Sequence, residues 1–164
     1  MGYYEVEGGH VIGGDFSVRG SKNAVLPILA ATILADDEVV LENCPQIADF
    51  FVSLEILRDL GCDVKQEGRT VTINSKSLYQ NEIKEDMVCK MRSSVLFLGA
   101  LLGRTKKAVM GHPGGCTIGR RPIDLHLRAF EKMGVHIEEK EGIFYCKAPL
   151  LLGYHLYLDI AFGS

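Results

Sequence analysis

The chain has 164 residues, of which 47% are hydrophobic and 24% carry a charge, and its formal net charge is −3. This composition is typical of a folded globular protein and argues against a disordered chain or a general attraction to nucleic acid. The five cysteines show no CxxC spacing, which predicts reduced thiols and argues against a zinc site. Residues 1–9 are unlike a signal peptide, and the most apolar run, residues 24–35, is too short to span a bilayer. We therefore expect a soluble, cytoplasmic protein without a membrane or nucleic acid partner.

The chain contains an internal repeat with a period of about 70 residues. Residues 21–30 match residues 91–100, because in each segment a cation and small polar residues precede an apolar helix. Residues 54–64 match residues 127–137, because both predict a helix, a glycine stop and a strand. The same structural unit is therefore predicted twice along the chain.

Each unit is predicted to contain a helix, a strand, a second helix and a strand-turn-strand pair, which together make a mixed α/β fold. Glycine at the end of the second helix fits a left-handed C-terminal residue, and a further glycine supplies the turn between the paired strands. The predicted positions are single strands at 39–41 and 108–110, helix ends at Gly61 and Gly134, and strand pairs at 64–73 and 137–146 that turn at Gly68 and Gly142.

A third unit is predicted to begin after Leu150, with a strand at residues 154–159 and no helix before Ser164. The chain is thus divided into residues 1–20, residues 21–150 with two repeat units, and residues 151–164, which start an incomplete third repeat.

Lys22 and Arg92 occupy equivalent places at the starts of the two apolar helices. A helix dipole disfavours a cation there, so a bound anion is expected to compensate, because helix N-termini also offer free N–H groups. The alternative is a pair of solvated surface cations. Asn23 next to Lys22 either caps the helix through its side chain or hydrogen-bonds a polar ligand.

Residues 113–127 place Cys116 between two glycines and the pair Arg120 and Arg121. Such a thiol is expected to be exposed and acidified, able to give or take a proton, whereas Cys44, Cys62 and Cys146 are expected to be buried. The two guanidinium groups suit phosphate or carboxylate, which predicts an anionic substrate. Beyond the arginines, Asp124 is a candidate N-cap of the following helix and His126 a candidate exposed residue, and the two form no recognisable catalytic triad.

Three motifs, at residues 20–31, 90–94 and 113–127, resemble the UDP-N-acetylglucosamine 1-carboxyvinyltransferase family, also called UDP-N-acetylglucosamine enolpyruvyl transferases. The resemblance covers nearly the whole chain as the N-terminal portion of such an enzyme. It implies an inside-out α/β repeat domain. It also implies transfer of the enolpyruvyl group of phosphoenolpyruvate to the 3-hydroxyl of UDP-N-acetylglucosamine, with release of phosphate, as the first committed step of peptidoglycan synthesis.

The resemblance also implies roles for individual residues and no metal or cofactor. Cys116, Lys22 and Arg92 would be catalytic, with Cys116 protonating the methylene carbon and reacting with epoxides of the fosfomycin type. The substrate-binding residues would be Lys22, Arg92 and Arg121 at phosphoenolpyruvate, Asn23 at the sugar, and Pro122, Ile123, Asp124 and His126 beside the uridine.

Family chains are more than twice as long and have a second domain that supplies further catalytic residues. We therefore expect residues 1–20 to pair as a strand with that second domain, and this chain alone to be inactive. Two alternatives remain. The chain is a non-catalytic nucleotide-sugar-binding or regulatory fragment, or it associates with another copy through an unfinished sheet edge.

Overall fold

A computed structural model of the protein describes residues 3–11, 13–114 and 123–157. Within these residues the chain forms five α-helices, seven β-strands and two short 3-10 turns. In chain order they are α1 (Lys22–Ala31), a 3-10 turn (Thr32–Leu34), β1 (Val39–Leu41), α2 (Ala48–Asp59), β2 (Asp63–Glu67), β3 (Thr70–Asn74), β4 (Glu82–Ile83), α3 (Glu85–Val88), a 3-10 turn (Arg92–Ser94), α4 (Val95–Thr105), β5 (Lys107–Gly111), α5 (Asp124–Lys132), β6 (His136–Lys140) and β7 (Ile143–Lys147).

The strands form two sheets of the same topology. The first has the order β1-β3-β2 and the second the order β4-β5-β7-β6, in which β4 adds a parallel edge to β5. In both sheets the single strand and the first strand of the pair flank the last strand, and these pairings are antiparallel. All of the strands predicted at residues 39–41, 64–73, 108–110 and 137–146 are confirmed. The two halves of the chain therefore share one order of elements and one pairing scheme.

Glycines end the second helix of each unit and turn each strand pair, as predicted. Gly61 and Gly134 have φ of +98° and +93°, a conformation that residues with a Cβ rarely adopt. Gly68 and Gly142, between the paired strands, have φ of +57° and +79°. The freedom of these glycines to adopt positive φ therefore sets where the helices end and where the strand pairs turn.

The core lies between the helices and one face of each sheet. Helix α1 packs against both α2 and α4, and Leu29, Phe50 and Phe97 at these contacts are completely buried. In β3, Val71 and Ile73 are buried and alternate with half-buried polar residues, the period of two expected for a strand with one face on the core. Burial of each large apolar side chain contributes about 1.5–3 kcal/mol to folding. Because α1 packs against α2 and α4, this core brings the N-terminal ends of neighbouring helices together.

The two terminal segments contain no helix or strand in the residues described, 3–11, 13–20 and 151–157. The strand predicted at 154–159 is therefore not formed over residues 154–157, because no described strand lies beside them to pair with; residues 158 and 159 lie outside the described ranges. Tyr3, Tyr4 and Phe16 are largely exposed. The pairing of residues 1–20 with a second domain, and the division of the chain at residues 20 and 150, stay predictions. None of the helices described is long and apolar enough to cross a membrane.

Candidate functional site

A cleft of about 480 Å³ lies where the start of α1, the start of α2 and the turn before α4 meet α5. Its lining combines cations, one carboxylate, one amide and apolar side chains. The lining residues are Lys22, Asn23, Leu26, Asp49, Lys90, Met91, Arg92, Ser93, Val95, Leu96 and His126. The fold therefore brings four of the sequence-predicted site residues, Lys22, Asn23, Arg92 and His126, to one cleft from three separate parts of the chain.

Helix α1 places Lys22 and Asn23 at the cleft because they are its first two residues. Ser21 precedes the helix, and its carbonyl oxygen accepts hydrogen bonds from the N–H groups of Ala24 and Val25 at 3.3 and 3.0 Å. No side-chain cap hydrogen bond forms at this end, so the prediction that Asn23 caps the helix is wrong. The other interpretation, in which the amide of Asn23 faces a polar ligand, remains.

Pro27 lies inside α1 and carries no backbone N–H. In a regular helix the N–H of residue 27 would bind the carbonyl oxygen of Asn23. That carbonyl group therefore lacks its usual helical donor. As a result, Asn23 retains polar groups, in its side chain and in its backbone, that the helix does not use.

The ammonium group of Lys22 forms an ion pair inside the cleft. Its Nζ lies 2.6 Å from Oδ2 of Asp49, which is in the first turn of α2, where a carboxylate is favoured by the helix dipole. The side chain of Asp49 is 27% exposed and that of Lys22 is 54% exposed. Asp49 was not among the site residues predicted from the sequence. The one sequence signal that pointed to it was the position of an acidic residue at the start of a helix.

A buried contact beneath the cleft connects α2 to the turn that carries Arg92. The completely buried hydroxyl of Ser53 donates a hydrogen bond to the carbonyl oxygen of Asp49 at 2.8 Å and lies 3.5 Å from Sδ of Met91. Met91 is 1% exposed. This contact holds the start of α2, which carries Asp49, against the turn that carries Arg92.

Helix α5 brings only one of its predicted residues to the cleft. His126 is exposed and lines the cleft, whereas Ile123 is buried at 5% exposure and does not line it. Asp124 is the first residue of the helix and forms a weak ion pair with Arg128 at 3.8 Å. The prediction that Asp124 caps α5 is wrong, because Ile123 occupies the cap position and no side-chain cap hydrogen bond forms.

Cys116, Arg121 and Pro122 lie outside the described residues, as does Arg120. The chain before them is held against the end of α3. The N–H of Gly114 donates to the carbonyl oxygen of Val88 at 3.1 Å, and a Cβ at Gly114 would lie 2.2 Å from the carbonyl oxygen of Cys89. Only glycine fits so close an approach, and the roles of Cys116, Arg121 and Pro122 stay predictions.

The prediction of three buried cysteines is confirmed. Cys44, Cys62 and Cys146 are all buried, and this burial raises the pKa of each thiol, that of Cys146 to about 11. A hydrogen bond between the Cys62 thiol and Ser75 partly opposes the rise in the pKa of Cys62. Cys89, by contrast, is exposed. The three buried thiols are therefore unreactive at neutral pH.

The sequence profile of the EPSP synthase (3-phosphoshikimate 1-carboxyvinyltransferase) family matches residues 6–160. Among curated relatives, UDP-N-acetylglucosamine 1-carboxyvinyltransferase 2 of Caldanaerobacter subterraneus subsp. tengcongensis is 43% identical over 160 residues, covering 98% of this chain and 38% of the relative. UDP-N-acetylglucosamine 1-carboxyvinyltransferase of Lawsonia intracellularis is 45% identical over 154 residues, covering 94% of this chain and 37% of the relative. The chain thus spans less than two fifths of the length of these relatives.

The fold also matches solved structures. The enolpyruvyl transferase NikO from Streptomyces tendae superposes with a TM-score of 0.71 at 26% sequence identity, over 82% of this chain and 29% of that one. The α/β repeat fold expected from the sequence is therefore the fold of a known enolpyruvyl transferase. This chain corresponds to part of a domain of that fold.

Proposed function

Because the chain belongs to the EPSP synthase family, we propose that it is the N-terminal part of a UDP-N-acetylglucosamine 1-carboxyvinyltransferase. The proposed reaction moves the enolpyruvyl group of phosphoenolpyruvate to the 3-hydroxyl of UDP-N-acetylglucosamine and releases phosphate, which begins peptidoglycan synthesis. The observation that carries the proposal is the cleft, where Lys22 and Asn23 of the first unit meet Arg92 and His126 of the second. The names of the relatives support the choice of sugar nucleotide.

The proposed chemistry uses cations for charge and a thiol for a proton. The sugar hydroxyl gives its proton to a base as its oxygen bonds to C2 of phosphoenolpyruvate, while a thiol gives a proton to C3. In the second step phosphate leaves C2 with the proton held by the base, and the proton lost from C3 returns to the thiolate. Lys22, Arg92 and Arg121 are proposed to hold phosphate and carboxylate, because hydrogen bonds from cations strengthen as negative charge develops. Cys116 is proposed to supply the proton to C3.

The nucleotide sugar is proposed to bind in the same cleft, at Asn23 and at the start of α5. Asn23 would contact the sugar through its amide, which caps no helix. His126 in the cleft, with Pro122, Ile123 and Asp124 beside it in sequence, would lie near the uridine. The burial of Ile123 limits its proposed role to shaping the backbone there.

A phosphate-release assay with both substrates tests the proposal. The assay needs a full-length protein that carries this sequence, because the chain covers 37–38% of its relatives. Replacement of Arg92 by Ala is expected to lower kcat/KM by at least about a hundredfold, since one preorganised donor to a developing charge contributes about 2.7–4 kcal/mol. Lys65→Gln, a change on the exposed face of β2 away from the cleft, is the matched control and is expected to keep full activity.

The role of Cys116 has its own test. Exposure of the chain to a fosfomycin-like epoxide, followed by intact mass and peptide mapping, is expected to show one adduct at Cys116, because an acidified thiol reacts first. Equal modification of the exposed Cys89 would contradict a special reactivity of Cys116. Activity of a full-length Cys116→Ala protein equal to the parent at several pH values would contradict its catalytic role.

The second candidate function is binding without turnover by this chain alone. It is favoured by the cleft, because four proposed ligand-binding residues already meet there. We expect the isolated chain to bind UDP-N-acetylglucosamine and to release no phosphate from phosphoenolpyruvate. Calorimetric titration of the isolated chain with each substrate, together with the phosphate assay of the full-length protein, separates the two candidates, because only the enzyme releases phosphate at full length.

Association with another copy through a sheet edge is the third possibility. The edge strand β6 carries charged, exposed residues at Glu138, Glu139 and Lys140, which disfavour pairing with another strand. We therefore propose that this edge does not drive association, and a monomeric mass in sedimentation equilibrium is the expected result. The free buried thiols fit a reducing compartment, and a cytoplasmic location is part of the proposal.

A further inference from the structure

Lys90 and Arg92 flank Met91, a single buried residue with extended backbone between the turn after α3 and the 3-10 turn before α4. Met91 between them has φ of −147° and ψ of 124° and is 1% exposed. Successive side chains of an extended chain point to opposite sides, so the two neighbours of a buried residue share the outward side. Both Lys90 and Arg92 accordingly line the cleft. Their spacing is held by the contact of Met91 with Ser53 below.

The charges of the cleft are unequally balanced. Lys22 has a close counter-ion, because Asp49 lies 2.6 Å away. Lys90 pairs with Asp86, one helical turn earlier, at 3.8 Å, and with no other carboxylate in the described part of the chain; both side chains of this pair are at least half exposed. Such exposed pairs hold a lysine weakly. Arg92 forms no ion pair among the residues that the structure describes. Two positive charges therefore face the cleft without a close counter-ion.

We propose that Lys90 is a further anion-binding residue of the cleft, and that Lys90 and Arg92 together hold one phosphate group. The proposal rests on the function proposed above and extends it to Lys90, the first residue of the motif at 90–94, for which the resemblance implied no role. Arg92 offers a planar fork that fits two phosphate oxygens, whereas Lys90 offers a mobile point charge. Their combination suits a phosphate group, either the dianionic phosphate of phosphoenolpyruvate or one singly charged phosphate of the nucleotide diphosphate. Because Lys22 is already paired with Asp49, it contributes less net positive charge to the cleft than its position suggests.

The test compares Lys90→Gln, Lys90→Arg and the control Lys65→Gln in this chain. Lys65 is exposed like Lys90, lies on β2 and pairs with an exposed carboxylate at 3.5 Å. Each protein is titrated at low salt with inorganic phosphate, phosphoenolpyruvate and UDP-N-acetylglucosamine, and Kd is measured by calorimetry or by shifts in amide NMR signals. Thermal unfolding of each variant checks that its fold is intact.

For at least one of the two phosphate-bearing substrates, Lys90→Gln is expected to raise Kd about tenfold, the loss of one charge-assisted hydrogen bond. Lys90→Arg is expected to stay within about threefold of the parent and Lys65→Gln within about twofold. The substrate that is affected identifies the phosphate group held. Unchanged binding by Lys90→Gln, or an equal loss in Lys65→Gln, would overturn the assignment of Lys90 and leave the proposed function standing. No binding of either substrate by the parent chain would overturn the assignment of Lys90 and the second candidate function, whereas the reaction proposed for the full-length protein is overturned only by the phosphate-release assay.

Discussion

Nζ of Lys22, the first residue of α1, and Oδ2 of Asp49, the second residue of α2, lie 2.6 Å apart in the candidate cleft. The pair neutralises one cation of an otherwise positive cleft. The carboxylate of Asp49 also repels any anion that enters the cleft, so it is expected to weaken the binding of anionic ligands.

Replacement of Asp49 by Asn is expected to tighten the binding of inorganic phosphate about threefold, because one negative charge leaves the cleft. Calorimetric titration of the parent and the variant at low and high salt measures the change, which is expected to shrink as salt screens the charges. Asp63→Asn, which removes the partner of Lys65 on the surface, is the control and is expected to leave Kd unchanged. Weaker phosphate binding by Asp49→Asn would show instead that Asp49 positions Lys22 for the ligand.

Leu29 and Ile28 are neighbours on α1 with opposite surroundings. Leu29 is completely buried against the other helices, whereas Ile28 is 46% exposed. Leu29→Ala is expected to lower the free energy of unfolding by about 2–5 kcal/mol, because it removes buried methyl groups and leaves a cavity. Ile28→Ala is expected to cost less than about 1 kcal/mol. Urea unfolding followed by circular dichroism measures both, and equal losses would contradict the described packing of α1.

Gly134 and Gly142 both have positive φ, but their surroundings differ. An added Cβ at Gly134 would lie 2.9 Å from the carbonyl oxygen of Leu150, whereas at Gly142 the nearest atom is 3.9 Å away. Gly142→Ala is expected to cost about 1–2 kcal/mol for the left-handed backbone alone. Gly134→Ala carries the same strain and a collision with backbone, so its loss in urea unfolding is expected to be larger. A smaller loss at Gly134 would place residue 150 farther from the end of α5.

Thiol accessibility is expected to separate Cys89 from the buried cysteines. Iodoacetamide at pH 8 is expected to label Cys89 within minutes, and Cys44, Cys62 and Cys146 only after unfolding in urea. Peptide mapping by mass spectrometry assigns the labels, and Cys89→Ser serves as the control that loses one of them. Rapid labelling of Cys146 in the native protein would contradict the burial of β7.

Stability is expected to fall at alkaline pH because of the buried thiols. Burial raises the pKa of Cys146 to about 11 from an ordinary value near 9, so the unfolded chain loses this proton first as the pH rises. Between pH 9 and 11 the unfolded state binds fewer protons, and the free energy of unfolding decreases with pH, by at most about 1.4 kcal/mol per pH unit for one thiol. Below pH 9 the Cys146 thiol is protonated in both the folded and the unfolded state, so its contribution to stability is fully present. Urea unfolding at several pH values measures the slope, which is expected to be shallower in Cys146→Ala; an unchanged slope would contradict the assignment to Cys146.

The repeat, the strands at 39–41 and 64–73 and the turns at glycine could all be predicted from the sequence. These features depend on signals that are local in the chain, namely the alternation of apolar residues and the freedom of glycine to adopt positive φ. The burial of Cys146 was predicted from the general tendency of free cysteines to be buried, and it is confirmed.

The set of side chains that share the cleft could not be predicted from the sequence, because it depends on how distant segments pack. The pairing of Lys22 with Asp49 and the common orientation of Lys90 and Arg92 depend on how α1, α2 and the turn before α4 pack, which no local pattern contains. The failed caps at Asn23 and Asp124 have a related origin. A short polar side chain near a helix start can either cap the helix or remain uncapped inside its first turn. Packing over many residues decides where each helix begins, and this decides which of the two occurs.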